Sequence, residues 1–580
     1  MRVFRVIAGA IVMLVLASAG YLVLRSQGVL DRMRMGEVKV VPTGHQEIAL
    51  IAPATSDEAW ERLVAAASYL VREWPRIAPA SPPLQVVLDQ AFLKHTAGVP
   101  EFGLRLEGGE QGTLWVRWYK LSSEMDAAAW IERLAERQPA PLAILGGDTS
   151  DRAVALGRAL SARVESWSGK PPLFLISTAT ADQLYPGDYK PRGTQEDSLT
   201  RRAWPKLVEL YAGRSFRFAF TNSRMAEALM DFIQEHRDIW LGVKRDPAYF
   251  AGVLAEGTPL GMTGALAGGG HLMSPMLYTL GWMDDRYSLD LADRFGRVFR
   301  DTFFTGRQPT QSRLSFNDYI YYGVGDFNLA NPREVQAAGV FLANSAQLQG
   351  QPQILALPTG SQRARRFLRA LYGMAPRELR NLVIINGDSL TLNHVYRDRA
   401  VAWNILDMPA PLVFFSHRTP MDAEAGFGAK TSVGGEERVS NTGTQDLLLN
   451  ADILSAVAQA ALQGADLESD TDALARRLRQ MRWHGERVIL ASSDQAAAEA
   501  IELFDAEGNR RRFTGEHIVW LRPEYAGDVV QLRATISVWG ARLAESGPRT
   551  WQPAGPALEV DYSGVPLLRI PPGNPFHEPD

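Results

Sequence analysis

The sequence predicts an α/β protein made of two Rossmann-like lobes that follow an N-terminal membrane-spanning helix. Three observations lead to this prediction. An uncharged apolar run opens the chain, a first series of short apolar strands alternates with amphipathic helices, and a second series follows it. A polar segment separates the two series, which join near residue 214. With 580 residues the chain can hold several cores, since domains typically contain about 100–200 residues.

The N-terminus indicates an uncleaved signal anchor. Two arginines precede the uncharged apolar run Val6 to Leu24, and Arg25 ends it. This run is close to the ~20 residues that cross a bilayer as a helix, whereas a cleavable signal has an apolar segment of about 7–15 residues. Ala17-Ser18-Ala19 offers an alternative cleavage site, but the apolar run continues beyond it. We therefore predict an anchor over 1–25, a polar stalk over 26–45 and export of the remainder.

The first α/β series extends over residues 46–213. Apolar strands that alternate with helices of about 10–15 residues are typical of βαβ units in a parallel sheet covered on both faces. Residues 92–112 are Gly-rich without clear periodicity, so we interpret them as an insertion. The predicted strands are 47–52, 84–88, 113–119, 142–145 and 173–176, and the predicted helices are 56–74, 125–137 and 152–164.

The second series extends over residues 214–419 and contains an insertion at 241–275, and a further insertion at 185–205 precedes it. We predict that about 420–482 complete the first lobe, that about 485–540 complete the second, and that 541–580 form a C-terminal extension. The predicted strands are 215–220, 276–281, 353–357 and 382–385, and the predicted helices are 225–236, 288–299, 332–346 and 361–372.

Composition excludes several classes of function. The chain has no cysteine, which excludes disulfides, thiolate metal sites and cysteine nucleophiles, and its net charge of −4 gives no nucleic-acid footprint. It has no nucleophile elbow, phosphate loop, zinc-protease or dinucleotide motif. Gly268-Gly269-Gly270-His271 is better interpreted as a flexible loop than as an oxyanion hole, because no elbow accompanies it. We therefore expect no enzyme, no cofactor and no metal.

Four segments at the ends of predicted strands indicate a known family. They are Ala143 to Ser150, Phe174 to Leu184, Ser215 to Phe220 with Ala226 to Ala228, and Asp284 to Asp290. The order of these segments resembles the type I periplasmic-binding fold, the family of leucine/isoleucine/valine-type solute-binding proteins and related receptor ectodomains. Two weaker similarities are the late helix 446–462 and the Phe-Asp-x-x-Gly turn within Ile501 to Asn509. The resemblance covers about residues 46–525.

The resemblance implies a ligand site between the lobes. Ser150, Thr178 and Thr180 would contact a ligand from the first lobe, at turns where hydroxyls and free N–H groups suit a carboxylate. Tyr287 would stack on or close over the ligand from the second lobe, and Asp388 would pair with an amino group. Each has an alternative interpretation: helix caps for Ser150 and Thr180, simple packing for Tyr287, and a local turn for Asp388.

Two functions remain open at this stage. The first is a membrane-anchored extracytoplasmic receptor that closes on a small polar, amino-acid-like solute for transport or sensing, with an ABC permease as a possible partner. The second is a structural or regulatory envelope protein that uses the same fold to bind a protein partner, and a hydrolase is a distant third. Convergent hydroxyls with a charged residue in the cleft would favour the first, whereas a cleft filled by its own side chains would favour the second.

Overall fold

A computed structural model describes most of the chain from residue 38 to residue 561. The exceptions are 93–97, 109–111, 168, 185–203, 237–238, 240–274, 305–318, 325–332, 346–352, 375–381, 392–409, 421–429, 434–435, 440–443, 464–469, 491–499, 527–528 and 543–549. The predicted anchor over 1–25 lies outside the described residues, as does most of the predicted insertions 185–205 and 241–275. Among the helices that are described, none is both long and apolar enough to span a bilayer.

The described elements form two large sheets covered by helices. The helices are α1 (Asp57–Ile77), α2 (Ala127–Ala135), α3 (Ser150–Ala162), α4 (Asn222–Glu235), α5 (Arg286–Phe304), α6 (Arg333–Ser345), α7 (Ser361–Met374), α8 (Thr444–Leu462) and α9 (Thr471–Arg479). The strands are β1 (Gln46–Pro53), β2 (Leu84–Gln90), β3 (Glu101–Leu106), β4 (Leu114–Leu121), β5 (Ala143–Gly146), β6 (Leu173–Ile176), β7 (Ser215–Arg217), β8 (Met276–Trp282), β9 (Tyr319–Val324), β10 (Gln353–Ala356), β11 (Leu382–Asn386), β12 (Leu412–Ser416), β13 (Lys430–Val433), β14 (Glu436–Val439), β15 (Met481–His484), β16 (Arg487–Leu490), β17 (Ile501–Glu502), β18 (His517–Ala526), β19 (Val529–Arg542), β20 (Thr550–Pro553) and β21 (Leu558–Asp561).

The first sheet has the order β2-β3-β4-β1-β5-β6-β7. Its five strands β4-β1-β5-β6-β7 are parallel. Across the sheet, they are the second, first, third, fourth and fifth of these five strands in chain order. Both faces of this sheet are buried, one against α1 and α8 and the other against α2 and α3. Burial on both faces explains why these strands read as continuous apolar runs rather than as alternating patterns.

The predicted insertion at 92–112 contains a strand, so this interpretation was wrong. β3 pairs antiparallel with both β2 and β4 and extends the sheet beyond its parallel part. Phe102 and Leu104 are fully buried in the core under α1. Gly103 between them leaves no room for a side chain beside Thr113 and Trp115. The Gly-rich composition hid a strand because this glycine faces a crowded neighbour.

The second sheet repeats the arrangement of the first. Its parallel strands β9-β8-β10-β11-β12 again follow the order second, first, third, fourth, fifth. Antiparallel β18 pairs with β12, and β19, β20 and β21 complete that edge. Both faces are buried in separate apolar cores. The two sheets confirm the predicted α/β fold of two Rossmann-like lobes.

The structure differs from the predicted lobe boundaries in three places. The first crossing follows β7, which pairs within the first sheet, so the chain leaves the first lobe after Arg217 rather than near residue 214. Residues 487–504 were expected in the second lobe, but Val488, Leu503 and Phe504 are buried in the first-lobe core. The predicted C-terminal extension begins inside β19, and β20 and β21 add strands to the second sheet.

The third crossing contains the Phe-Asp-x-x-Gly turn that the resemblance indicated. The Asp505 carboxylate accepts the backbone N–H groups of Glu507 and Asn509 at 3.0 and 2.9 Å. Gly508 has a φ of +94°, and a side chain there would collide with the carbonyl oxygen of Ser215. The turn therefore lays the third crossing directly against β7, where Arg217 pairs with Asn509.

Candidate functional site

The loop after β5 presents the first-lobe candidates at the edge of the sheet. Gly147 has a φ of +74° and packs against Ala153, which allows the chain to turn directly into α3. Thr149 caps that helix by accepting the N–H of Arg152 at 3.3 Å. Ser150 is therefore not the cap. Its buried hydroxyl oxygen accepts the N–H of Ala181 at 3.3 Å, which joins the β5 and β6 loops.

Thr178 and Thr180 differ in what they can still bind. The Thr178 hydroxyl donates to the carbonyl of Asp148 at 3.0 Å, so its only proton is already used. Thr180 is buried, and its hydroxyl oxygen has no hydrogen-bond partner among the described residues. The Thr180 carbonyl accepts the N–H of Asn222 at 2.8 Å, at the start of α4. Of the two threonines, only Thr180 has a free hydroxyl to offer a ligand.

Tyr287 lies in the first turn of α5, at the carboxyl end of β8. The carboxylate of Asp285 accepts its backbone N–H at 3.1 Å, which fixes the start of this helix. The phenol lies over Gly387, where any side chain would collide with it. Burial and the nearby Asp388 carboxylate raise the pKa of the Tyr287 phenol well above its ordinary value. The side chains of Asp388 and Ser389 lie beside the phenol oxygen and interact with it.

Asp388 lies directly beyond β11 and is held by His417, which sequence reasoning did not identify as part of the site. The distance from Asp388 Oδ2 to His417 Nε2 is 2.9 Å, and His417 Nδ1 accepts the backbone N–H of Phe220 at 3.2 Å. The other carboxylate oxygen, Oδ1, is buried and has no partner among the residues that the structure describes. An unpaired carboxylate oxygen in a buried position is costly, and it marks a point where a donor can bind.

Direct contacts connect the predicted residues of the two lobes. Asn222 donates its backbone N–H to the Thr180 carbonyl and its side-chain amide to the carbonyl of Tyr287, the latter at 3.2 Å. Ser150 reaches the residue after Thr180 through the N–H of Ala181. Tyr287 in turn lies beside Asp388. The candidates from both sheets therefore belong to one connected region at the carboxyl ends of the strands, where ligands bind in open α/β sheets.

A pair of carboxylates, of which Asp290 is fully buried and Asp182 is partly exposed, lies next to this region and was missed by the sequence analysis. Asp290 Oδ2 accepts the N–H of Asp182 at 2.7 Å and the amide of Asn222 at 2.9 Å. Arg294 lies 3.5 Å from Asp290 and 3.8 Å from Asp182. Burial, opposed by Arg294 and reinforced by the charge of Asp182, raises the pKa of Asp290 to about 6. No sequence spacing pairs these acids, because they come from different lobes.

Side chains also bridge the two lobes directly. Arg286 at the start of α5 forms an ion pair with Asp151 at the start of α3. Together with the Asp182–Asp290 hydrogen bond, this ion pair joins the first-lobe loops to α5 without any ligand. The lobes are thus in direct contact beside the candidate residues.

The crossings between the lobes meet at a buried charge cluster. Asp452 on α8 lies 3.1 Å from Arg510 in the third crossing and 3.5 Å from Arg418 in the second. Arg510 also donates to the carbonyl of Phe218 in the first crossing, at 3.1 Å. Both guanidinium groups lie against the Trp483 ring, 4.5 and 5.0 Å from its centroid. Asp452 therefore joins the second and third crossings, and Arg510 extends the cluster to the first.

Comparison with known proteins gives structural relatives only. No family model matches the chain, and no curated protein matches it. Similar solved structures include an ABC transporter substrate-binding protein from Desulfitobacterium hafniense, with 12% identity, a TM-score of 0.43, and 88% of this chain and 100% of that chain covered. A solute-binding protein from R. palustris in complex with 4-hydroxybenzoate has 8% identity, a TM-score of 0.45 and coverages of 84% and 95%. The leucine-, isoleucine-, valine-, threonine- and alanine-binding protein from Brucella ovis, in a closed conformation, has 10% identity, a TM-score of 0.43 and coverages of 88% and 95%.

Since these identities and scores are low, the assignment of fold rests on the strand order itself. Two sheets whose five parallel strands share one order, linked by crossings after β7, after β12 and before β18, define the type I periplasmic-binding fold. Within the described residues, no group of acidic or histidine side chains has the geometry of a metal site.

Proposed function

We propose that this chain is an extracytoplasmic binding protein that captures a small, polar, amino-acid-like solute between its two lobes, for transport or sensing. Residues 1–25 would anchor it in the membrane, and an ABC permease is a candidate partner. The proposal combines the two-lobed fold with candidate residues at the carboxyl ends of strands in both sheets. It assigns the ligand contacts to Ser150, Thr180, Tyr287 and Asp388, and leaves Thr178 as a support of the loop.

One observation carries the proposal: the buried Oδ1 of Asp388 has no hydrogen-bond partner among the described residues, and the Tyr287 phenol lies beside this carboxylate. Asp388 also has no cationic side chain among its described contacts, since its partner His417 is charged only when protonated. A carboxylate left in this state favours a ligand that brings a positive charge and N–H donors. The unpaired hydroxyl of Thr180 offers a donor to the opposite, anionic end of a zwitterion.

The test is a thermal-shift screen of residues 38–580 against amino acids and primary amines, followed by calorimetric titration of each hit. A ligand at 100 times its dissociation constant should stabilise the fold by about 2.7 kcal/mol. Asp388→Asn should then weaken binding several-fold to a hundredfold, because it removes a charged hydrogen bond worth on the order of 1–3 kcal/mol.

Asp284→Asn is the matched control. This carboxylate lies at the same edge of the second sheet, but it is exposed and paired with Arg333 and Arg363 at 3.1 Å. Asp284→Asn makes the same change of charge as Asp388→Asn and should leave the affinity for the ligand unchanged. Equal dissociation constants for wild type and Asp388→Asn would remove Asp388 from the site, and an absence of any hit would count against solute capture.

A second function, binding of a protein partner by a closed molecule, is favoured by the direct bridges between the lobes. Arg286–Asp151 and Asp182–Asp290 join the lobes with the protein's own side chains. Arg286→Ala separates the two functions. If the lobes open to admit a solute, Arg286→Ala should increase the association rate of that solute. If the molecule is a permanently closed scaffold, the variant should keep the interlobe distance of wild type.

A further inference from the structure

His417 lies between the candidate site and the crossings that join the lobes. The proposed function does not explain this position. The residue follows β12, where the second crossing begins, and its side chain is 6% exposed. One ring nitrogen faces Asp388 and the other faces the backbone of Phe220 in the first crossing. The imidazole also stacks on the Phe220 ring, with centroids 5.8 Å apart and planes 15° from parallel.

The hydrogen bonds of His417 determine which nitrogen carries the proton. A backbone N–H can only donate, so Nδ1 must have a lone pair to accept the N–H of Phe220. The proton of a neutral imidazole then sits on Nε2, where it is donated to Asp388 Oδ2. An imidazolium would carry a proton on both nitrogens and would lose the Phe220 contact.

A neutral donor orients Asp388 without cancelling its charge. If the partner were an arginine or a lysine, the carboxylate would already be neutralised and would attract a cationic ligand only weakly. His417 instead fixes Oδ2 and leaves Oδ1 buried and without a partner among the described residues. The same ring is tied to the first crossing, whose Phe220 also has the Arg510 guanidinium 4.8 Å from its ring centroid.

We propose that His417 is a positioning residue: held as the Nε2–H tautomer by the Phe220 amide, it presents the free oxygen of Asp388 to a cationic group and joins that carboxylate to the first interlobe crossing. This inference rests on the proposed function for the identity of the bound group. The tautomer and the link to the crossing are properties of the unliganded protein and can be tested without a ligand.

Two substitutions separate the two contacts of the ring. His417→Asn keeps a carbonyl oxygen near the position of Nδ1 and can still accept the Phe220 N–H, but it no longer reaches Asp388. His417→Gln keeps an N–H donor near the position of Nε2 for Asp388, but it no longer holds Phe220. Hydrogen exchange of the segment containing Phe220 should become about five- to tenfold faster in His417→Gln, as for a lost buried hydrogen bond, and remain near wild type in His417→Asn.

The second measurement is the ¹⁵N spectrum of histidine-labelled protein, with His417 assigned by its loss in either variant. We expect the neutral Nε2–H tautomer at pH 7, and Asp388→Asn should shift the Nε2 signal because that nitrogen donates to the carboxylate. Propylammonium chloride should shift the same signal, and propanol should not.

An Nδ1–H tautomer or an imidazolium at pH 7 would overturn the inference, and so would equal exchange at Phe220 in the Asn and Gln variants. If the tautomer and exchange results are as expected but neither propylammonium nor any amino acid binds, His417 keeps its positioning role and the proposed capture of a solute fails.

Discussion

At the scale of single residues, the molecule is shaped by charges buried where the lobes meet. Asp452, Arg418 and Arg510 are each at most 6% exposed in their side chains. Burial lowers the pKa of Arg510 to about 10, and the Asp452 charge opposes this shift. Such groups persist because each charge has a partner, and removing one partner leaves an uncompensated charge in the interior.

We expect Asp452→Asn to lower the free energy of unfolding by about 3–5 kcal/mol, because two buried guanidinium groups lose their shared counter-charge. Chemical denaturation of the variant and of wild type measures this difference. Glu507→Gln is the control, since its ion pair with Lys206 is half-exposed and should contribute no more than about 1 kcal/mol. Similar losses in the two variants would contradict a special role for the Asp452 cluster.

The raised pKa of Asp290 predicts a dependence of stability on pH. Its folded pKa of about 6 lies above the ordinary carboxyl value of 3.8, so the folded state binds more protons than the unfolded state between these two values. Stability should therefore fall as pH rises from about 4 to about 6, by on the order of 1–3 kcal/mol.

Asp290→Asn should flatten that part of the stability profile, since its amide does not titrate. Unfolding midpoints measured at half-unit pH steps from 4 to 7 provide the test. A profile that stays as steep in the Asn variant would assign the dependence to another group, and Asp182, which faces Asp290, would be the next to test.

At the scale of elements, turns decide how the two sheets are joined. Gly508 combines a φ of +94° with direct contact to the Ser215 carbonyl, whereas Gly213 has a φ of +76° with open space around it. Both glycines adopt the left-handed conformation that side chains disfavour, by about 1–2 kcal/mol for an L-residue. Only Gly508 is also held against another strand.

Gly508→Ala should therefore destabilise the protein clearly more than Gly213→Ala. We expect about 1–2 kcal/mol for Gly213→Ala from the backbone alone, and a further loss for Gly508→Ala because the third crossing must move away from β7. Urea denaturation compares the two variants directly. Equal losses would mean that the crossing can shift away from β7 without cost.

At the scale of the whole molecule, the end of the stalk is part of the first lobe. Arg137 and Arg117 donate to the carbonyl of Lys39 at 2.9 and 3.2 Å, and Arg117 also reaches the carbonyl of Val40 at 3.1 Å. Both arginines converge on the buried Glu47 carboxylate, at 2.8 and 2.7 Å. This network lies at the end of β1 opposite to the candidate site, so the chain enters the lobe from the side away from the cleft.

A chain that begins at residue 38 should be soluble and as stable as one that begins at 26, whereas one that begins at 46 should lose about 2–4 kcal/mol. The shorter chain leaves Arg117 and Arg137 without the carbonyls of Lys39 and Val40, and hydrogen bonds to charged groups are worth about 1.5–3 kcal/mol. Chemical denaturation measures the stabilities, and sedimentation with membranes after a salt wash tests the anchor. Pelleting of the chain that begins at 38 would contradict an anchor confined to 1–25.

The sequence by itself determined the architecture, because strands buried on both faces leave continuous apolar runs that any reader of the chain can recognise. It located most elements of both series and the turn at Gly508, and it placed candidate residues at the ends of β5, β6 and β11, but it missed β9 and β12. β3 escaped prediction because Gly103, Glu101 and Arg105 break its apolar pattern, although Glu101 is buried against Arg117 at 2.7 Å.

Only the tertiary structure decided which polar groups meet. Asp182 and Asp290, Asp388 and His417, and Arg418, Asp452 and Arg510 lie far apart in the chain and become neighbours only where the two lobes join. The structure also distinguishes two threonines. The Thr180 hydroxyl has no hydrogen-bond partner among the described residues, whereas the Thr178 hydroxyl donates its proton to the carbonyl of Asp148. Local patterns record which face of an element is buried, but hydrogen bonds between distant segments depend on how the sheets pack, and no local pattern encodes that packing.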